Sequence, residues 1–149
     1  MKFNNLLKLD QIRLNITAAS KKKALQVISD IAAENYPEYN ANKIFELLIE
    51  RERLGSTGIG HGVALPHARL PDCQEPIGIF ISLAEGVDFD AIDQEPVKLL
   101  FALLVPENST QEHLEILARL ADFFRQDKNR QILENATSPE TVYNLLINI

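Results

Sequence analysis

Three histidines, a run of glycines and two arginines carry the chemistry open to this chain. His67 closes the stretch Gly55-Ser56-Thr57-Gly58-Ile59-Gly60-His61-Gly62-Val63-Ala64-Leu65-Pro66-His67. Glycines let backbone N–H groups approach an anion closely, and clustered amides form concave nests for one. Pro66 predicts that the chain does not simply run on as helix or ladder past Leu65. An imidazole presented at such a point suits phosphoryl chemistry: a neutral ring nitrogen can attack phosphorus, and the resulting phosphohistidine can be handed on. A surface histidine after a turn is the plainer reading, and the adjoining glycines and proline favour the reactive one.

His113 is predicted in the first turn of a helix opened by Ser109-Thr110-Gln111-Glu112, a serine-to-glutamate capping box. The apolar stripe expected on that helix is Leu114, Leu117, Ala118, Ala121 and Phe124, which puts His113 near its edge. A helix N-terminus disfavours added positive charge, so this imidazole should stay neutral and able to donate an N–H toward an oxyanion. Phosphoryl transfer is catalysed mostly by positioning and charge stabilisation, which such a donor and a guanidinium supply. On its own residues, His113 divides evenly between a solvated surface position and a site position.

Arg51 and Arg53 flank Glu52 at the end of a predicted helix, just before the glycines. They could serve the helix dipole, with Arg51 paired to Glu50 or Glu52, or one guanidinium could clamp phosphate oxygens. His61 reads as a plain loop histidine, with a second acceptor or a metal ligand as the alternatives. Its spacing to His67 fits no usual zinc signature, and Cys73 adds only a weak third ligand. The glycines lack the Gly-Lys-Ser/Thr ending of a nucleotide P-loop. Cys73 follows Pro71-Asp72 with no basic partner beside it and is expected to be inert.

The positioning elements follow from periodicity. Gln11–Ile16 alternates as a strand, and Ser20 caps a helix over Lys21–Asn35 that Tyr36-Pro37 ends. Asn40 caps a second helix through Ile44, Leu47, Leu48 and Arg51 toward Gly55. Strands are predicted at Gly62–Leu65, Ile77–Leu83 and Val97–Val105, the last two near-continuously apolar, as strands covered on both faces are. Helices follow over Lys128–Asn135 and Pro139–Ile147, the latter capped by Ser138. Helices before and after a central set of strands imply a single α/β domain over residues 1–149, a mixed sheet flanked by helices on both sides.

At 149 residues and 46% hydrophobic, the chain can bury a core without staples. A net charge of −6 argues against nucleic-acid binding, and Lys21-Lys22-Lys23 reads as a solvated helix start. No apolar run approaches the ~20 residues that span a bilayer, and no secretory signal is expected, so the cytoplasm is the predicted compartment. A single cysteine leaves no internal disulfide to form.

The stretch Arg51-Glu52-x-Leu54-Gly55-Ser56-Thr57-Gly58-Ile59-Gly60-x-Gly62-x-Ala64-x-Pro66-His67 resembles the active-site signature of the enzyme IIA domains of the fructose/mannitol class (type 2). These belong to the bacterial phosphoenolpyruvate-dependent phosphotransferase system. Phe89-Asp90-Ala91-Ile92-Asp93-x-x-Pro96-Val97, running into Leu99–Pro106, and then His113-Leu114 extend the resemblance over nearly the whole chain. Within the class it is nearest the nitrogen-regulatory kind. The resemblance implies that His67 is phosphorylated, that His113 lies beside it, and that Arg51 rather than Arg53 contacts the phosphate. No metal or organic cofactor is implied. The donor would be a histidine-phosphorylated carrier protein, itself charged from phosphoenolpyruvate by enzyme I. Downstream partners would be regulatory proteins such as potassium-transport or sensor-kinase components. A sugar-specific IIA component passing phosphate to a permease IIB domain is the alternative, and a non-phosphorylated interaction module is a third. Two positions depart from the pattern: His61 stands where asparagine is expected, and Ala68 replaces a common glycine, which would restrict the backbone just past His67.

Overall fold

A computed structural model describes residues 3–109 and 111–149. Two single 3-10 turns, Phe3–Asn5 and Leu9–Gln11, lead into β1 (Ile12–Ile16). Helices α1 (Lys21–Asn35) and α2 (Ala41–Leu54) follow, then three short strands, β2 (Gly58–Gly60), β3 (Val63–Ala64) and β4 (His67–Leu70). The long strands β5 (Ile77–Val87) and β6 (Val97–Pro106) form the centre, and α3 (Gln111–Arg125), α4 (Asp127–Asn135) and α5 (Pro139–Leu146) close the chain.

The sheet is mixed and six-stranded, in the order β1-β5-β6-β3-β2, with β4 also on β6. Strands β5 and β6 pair antiparallel, while β1 joins β5, and β3 and β4 join β6, in parallel. Side chains alternate across a strand, so β5 and β6 feed two cores at once. Ile79, Ile81, Leu100, Ala102 and Leu104 pack against Leu25, Ile28, Ile44 and Leu48 of α1 and α2. Phe80, Phe101, Leu103 and Val105 pack against Ile116, Leu120 and Phe124 of α3, with Leu133, Val142 and Leu146 from α4 and α5. Burial on both faces explains why these strands read as unbroken apolar runs. The helices start where the capping residues predicted: Ser20, Asn40 and Ser138 accept from Lys23, Lys43 and Thr141 N–H.

Three expectations are corrected. The glycine stretch is a hairpin, with β2 antiparallel to β3 through the two-residue loop His61-Gly62. Both loop residues have positive φ (57° and 77°), as a type I′ connection requires. Second, the ladder does not end at Pro66. Proline has no N–H to give, but its carbonyl accepts from Leu103 N–H at 2.8 Å, and β4 resumes the parallel pairing from His67. Third, the buried face of α3 is His113, Ile116, Leu120, Phe123 and Phe124, while Leu114 is 62% exposed. Both stripes have helical spacing. Phe124 is common to both; the observed face adds Ile116, Leu120 and Phe123 where the expected one offered two leucines and two alanines, and so gains a phenylalanine's apolar area. The expected capping box includes Thr110, which lies outside the described residues.

Candidate functional site

His67, Arg51 and His113 come from three different elements and meet at one place. Among the described residues β4 pairs with β6 and with no other strand, and His67 is its first residue. Arg51 is in the last turn of α2, on one face of the sheet, and His113 is in the first turn of α3, on the other. The two imidazoles are edge to face, with centroids 5.2 Å apart and planes at 67°. Together with Leu47, Glu50, Arg53, Leu54 and Arg69 they line a shallow pocket.

The hydrogen bonds assign the tautomer of His67. Nδ1 lies 2.9 Å from the carbonyl oxygen of Leu65, which can only accept, so Nδ1 carries the proton and donates. Nε2 is left with its lone pair and accepts from Arg51 Nε–H at 3.2 Å. Arg51 is itself steadied by donating from Nη1 to the Gly55 carbonyl at 2.9 Å. Burial, chiefly, holds the His67 pKa below its ordinary value, and the Arg51 charge adds to this; the bond to Leu65 and the Glu52 charge pull the other way. His113 is pushed down too, first by burial and then by His67, Arg69 and Arg51. Two neutral imidazoles therefore face each other among guanidinium groups. His113 is 8% exposed, and its Nε2 is a buried side-chain atom without a hydrogen-bond partner among the described residues.

Other candidates fall elsewhere. Arg53 lines the pocket, but it is Arg51 that contacts His67. Arg51 pairs with neither Glu50 nor Glu52; Glu52 turns inward to Lys21 at 2.7 Å, which also shows that Lys21 is not the solvated residue expected. The glycine stretch is no open anion nest. The N–H groups of Thr57, Gly58, His61 and Leu65 are committed to Glu52, Ser56 Oγ, Asp93 and the Thr57 carbonyl. His61 is exposed at the hairpin tip in a left-handed conformation that asparagine and histidine both tolerate. Ala68 sits in regular strand opposite Leu104, so no positive φ is demanded of it. Cys73 is buried, donates to the Glu75 carbonyl, and has its pKa raised chiefly by burial. Among the described residues no three His, Cys, Asp or Glu side chains form a metal-binding group.

Two features were missed in the sequence. Arg69 is two residues beyond His67 and hence on the same face of β4, a relation visible only once β4 is known. Glu52 continues the buried stripe Ile44-Leu48 at four-residue spacing, which signals a carboxylate in need of an internal partner.

A sequence profile of the phosphoenolpyruvate-dependent sugar phosphotransferase system EIIA 2 family matches residues 5–149. The nitrogen regulatory protein of Pseudomonas aeruginosa is 45% identical over 136 residues, covering 91% of this chain and 88% of that protein. A fructose-specific EIIA component from Haloferax volcanii is 35% identical over 141 residues, covering 95% and 92%. The crystal structure of nitrogen regulatory protein IIA-Ntr from Neisseria meningitidis superposes with a TM-score of 0.92 at 42% identity, covering 97% of this chain and 98% of that one. With the match to the family running from residue 5 to the last residue, the chain belongs to the EIIA type 2 family of the phosphoenolpyruvate-dependent sugar phosphotransferase system.

Proposed function

We propose that His67 is the phosphorylated residue of a regulatory IIA phosphocarrier. In this reading the lone pair on Nε2 attacks the phosphorus of a phosphohistidine on a small carrier protein. The new N–P bond forms as the donor's N–P bond breaks, and the donor imidazole leaves with the electron pair. Arg51, already on Nε2, would shift to the phosphoryl oxygens, and a neutral His113 would donate an N–H to them. The observation that carries the reading is the tautomer: the Leu65 carbonyl holds the Nδ1 proton and leaves Nε2 nucleophilic beside Arg51 and His113. Leu54, 85% exposed on the pocket rim, and Leu114, next to His113, offer an apolar margin for a protein donor.

Adding the phosphoryl group changes the local charge by almost two units, enough for partners to tell the two forms apart. The relatives named nitrogen regulatory protein support a signalling output to regulatory proteins, with potassium-transport or sensor-kinase components as the proposed targets, in the cytoplasm. Among the described residues no helix is long and apolar enough to cross a membrane. The fructose-specific relative favours a second reading, transfer onward to a permease IIB domain. Complementation separates them: rescue of fructose or mannitol uptake in a strain lacking its IIA domain supports transport, whereas restored potassium or nitrogen physiology supports regulation. For the site itself, 31P–15N correlation on the phosphorylated protein should place phosphorus on Nε2 of His67. Phosphorus on Nδ1 or on His113 would contradict the assignment.

A further inference from the structure

Arg51 and Glu52 are adjacent on α2 but serve different clusters. The Glu52 side chain is 4% exposed, and a carboxylate this deep requires charge and hydrogen-bond compensation. Lys21 Nζ, from the first turn of α1, lies 2.7 Å from Oε2. Thr57 donates its backbone N–H to Oε1 at 3.2 Å and its hydroxyl to the same oxygen. Lys21 also donates to the Phe89 carbonyl at 3.2 Å, and Ser56 Oγ donates to that carbonyl at 2.7 Å. The cluster therefore ties α1, α2, the hairpin and the Phe89 segment together.

The hydrogen bonds continue beyond Thr57. Its carbonyl accepts the Leu65 N–H at 2.9 Å, and the Leu65 carbonyl accepts His67 Nδ1–H at 2.9 Å. Every step donates toward Glu52; within Thr57 and within Leu65 the N–H and C=O belong to different peptide units, so what passes along the series is position, fixed at its far end by a buried carboxylate. Which nitrogen of a histidine is protonated is set by the bond its other nitrogen makes. Here that bond is made by a carbonyl whose place is held, through Thr57, by Glu52.

We infer that Glu52 is a positioning residue for phosphoryl transfer: by anchoring Thr57 it holds the Leu65 carbonyl on His67 Nδ1–H and so keeps Nε2 the nucleophilic nitrogen. The inference rests on the phosphocarrier reading above for its kinetic consequence, and on the geometry alone for its effect on the tautomer. The Glu52 charge is also felt at His67, where it opposes the effect of burial. A residue that merely stabilised the fold would lower the melting temperature and leave the imidazole tautomer and turnover untouched.

The test uses the full chain with Glu52→Gln, Thr57→Val and Thr57→Ser. Two-bond 1H–15N correlation reads the His67 tautomer, and labelling from the phosphorylated carrier gives kcat and KM. In Glu52→Gln, His67 should shift from the Nδ1–H form to a mixture, with kcat reduced about tenfold and KM for the carrier unchanged. That is the lower end of the roughly 10- to 100-fold that losing an outer hydrogen bond costs at metal-ligating histidines. Thr57→Val should move both readouts the same way, and Thr57→Ser, which keeps the hydroxyl, should recover most of that loss. If Glu52→Gln does not fold, the double variant Lys21→Met/Glu52→Gln leaves neither charge unpaired and carries the same expectation. A folded variant lacking the carboxylate that keeps the Nδ1–H tautomer and wild-type kcat overturns the inference. Should the wild type take no phosphate, the phosphocarrier reading falls, and the tautomer measurement alone still decides for or against Glu52.

Discussion

One turn of α2 feeds two polar clusters of opposite character. Around Glu52 the carboxylate meets the ammonium of Lys21 from α1 and both the hydroxyl and the backbone N–H of Thr57, just before the hairpin. Around His67 two imidazoles with lowered pKa values share a shallow pocket with Arg51, Arg53 and Arg69, and one buried ring nitrogen, His113 Nε2, has no partner among the described residues. The first cluster is complete within the chain. The second has donors and cations in excess of acceptors, which is the balance a dianionic phosphoryl group would meet. Satisfied polar groups hold position, and the His113 Nε2 left short of a partner is the atom proposed to serve a phosphoryl oxygen on His67.

The comparison breaks most directly at Arg51. Arg51→Ala should slow phosphoryl transfer about 100-fold, the scale for loss of one preorganised donor to a charged transition state, while the unfolding midpoint in urea stays where it was. A comparable loss of stability would mean that the two clusters do not divide the work as described. Lys21→Met should do the reverse, costing about 2 kcal/mol in denaturant unfolding, less than for a fully buried pair because Lys21 is 20% exposed. His113→Ala should stay folded and transfer about tenfold more slowly, the ~1.4 kcal/mol that one hydrogen bond to a phosphoryl oxygen contributes. An unchanged rate removes His113 from the site.

The smallest effect is in pH. Both imidazoles titrate lower in the folded protein than the ~6.5 of an unfolded chain, so below that value the unfolded state binds more protons. Stability should therefore fall as pH is lowered through about 6.5 and level off once the folded imidazoles protonate. Urea unfolding at a series of pH values should show a shallower decline in His113→Ala than in wild type; identical slopes would show that His113 is not held neutral by its surroundings.

Much of this was legible in the residues. Ser20, Asn40 and Ser138 mark helix starts because their side chains satisfy N–H groups that the helix cannot, a local effect that needs no tertiary knowledge. The apolar runs in β5 and β6 announced a sheet covered on both faces. What stayed hidden depended on distant partners. Strand β4 is four residues long and exists because β6 offers an edge, and Pro66 before it argued locally against any continuation. The face of α3 was misjudged because two stripes have helical spacing and only packing chooses between them. Lys21 looked like one of three solvated lysines until Glu52, thirty-one positions on, supplied the counter-charge. For the site, the motif gathered Arg51, His67 and His113, whereas the tautomer that sets Nε2 against Nδ1 required the Leu65 carbonyl in three dimensions.

The most direct measurement is intact-protein mass spectrometry after incubation with phosphoenolpyruvate, enzyme I and the nitrogen-branch carrier, on wild type and His67→Ala. One acid-labile phosphoryl group on wild type and none on the variant is the expected result. Stoichiometric labelling that persists in His67→Ala would contradict the assignment of His67 as the phosphoryl acceptor.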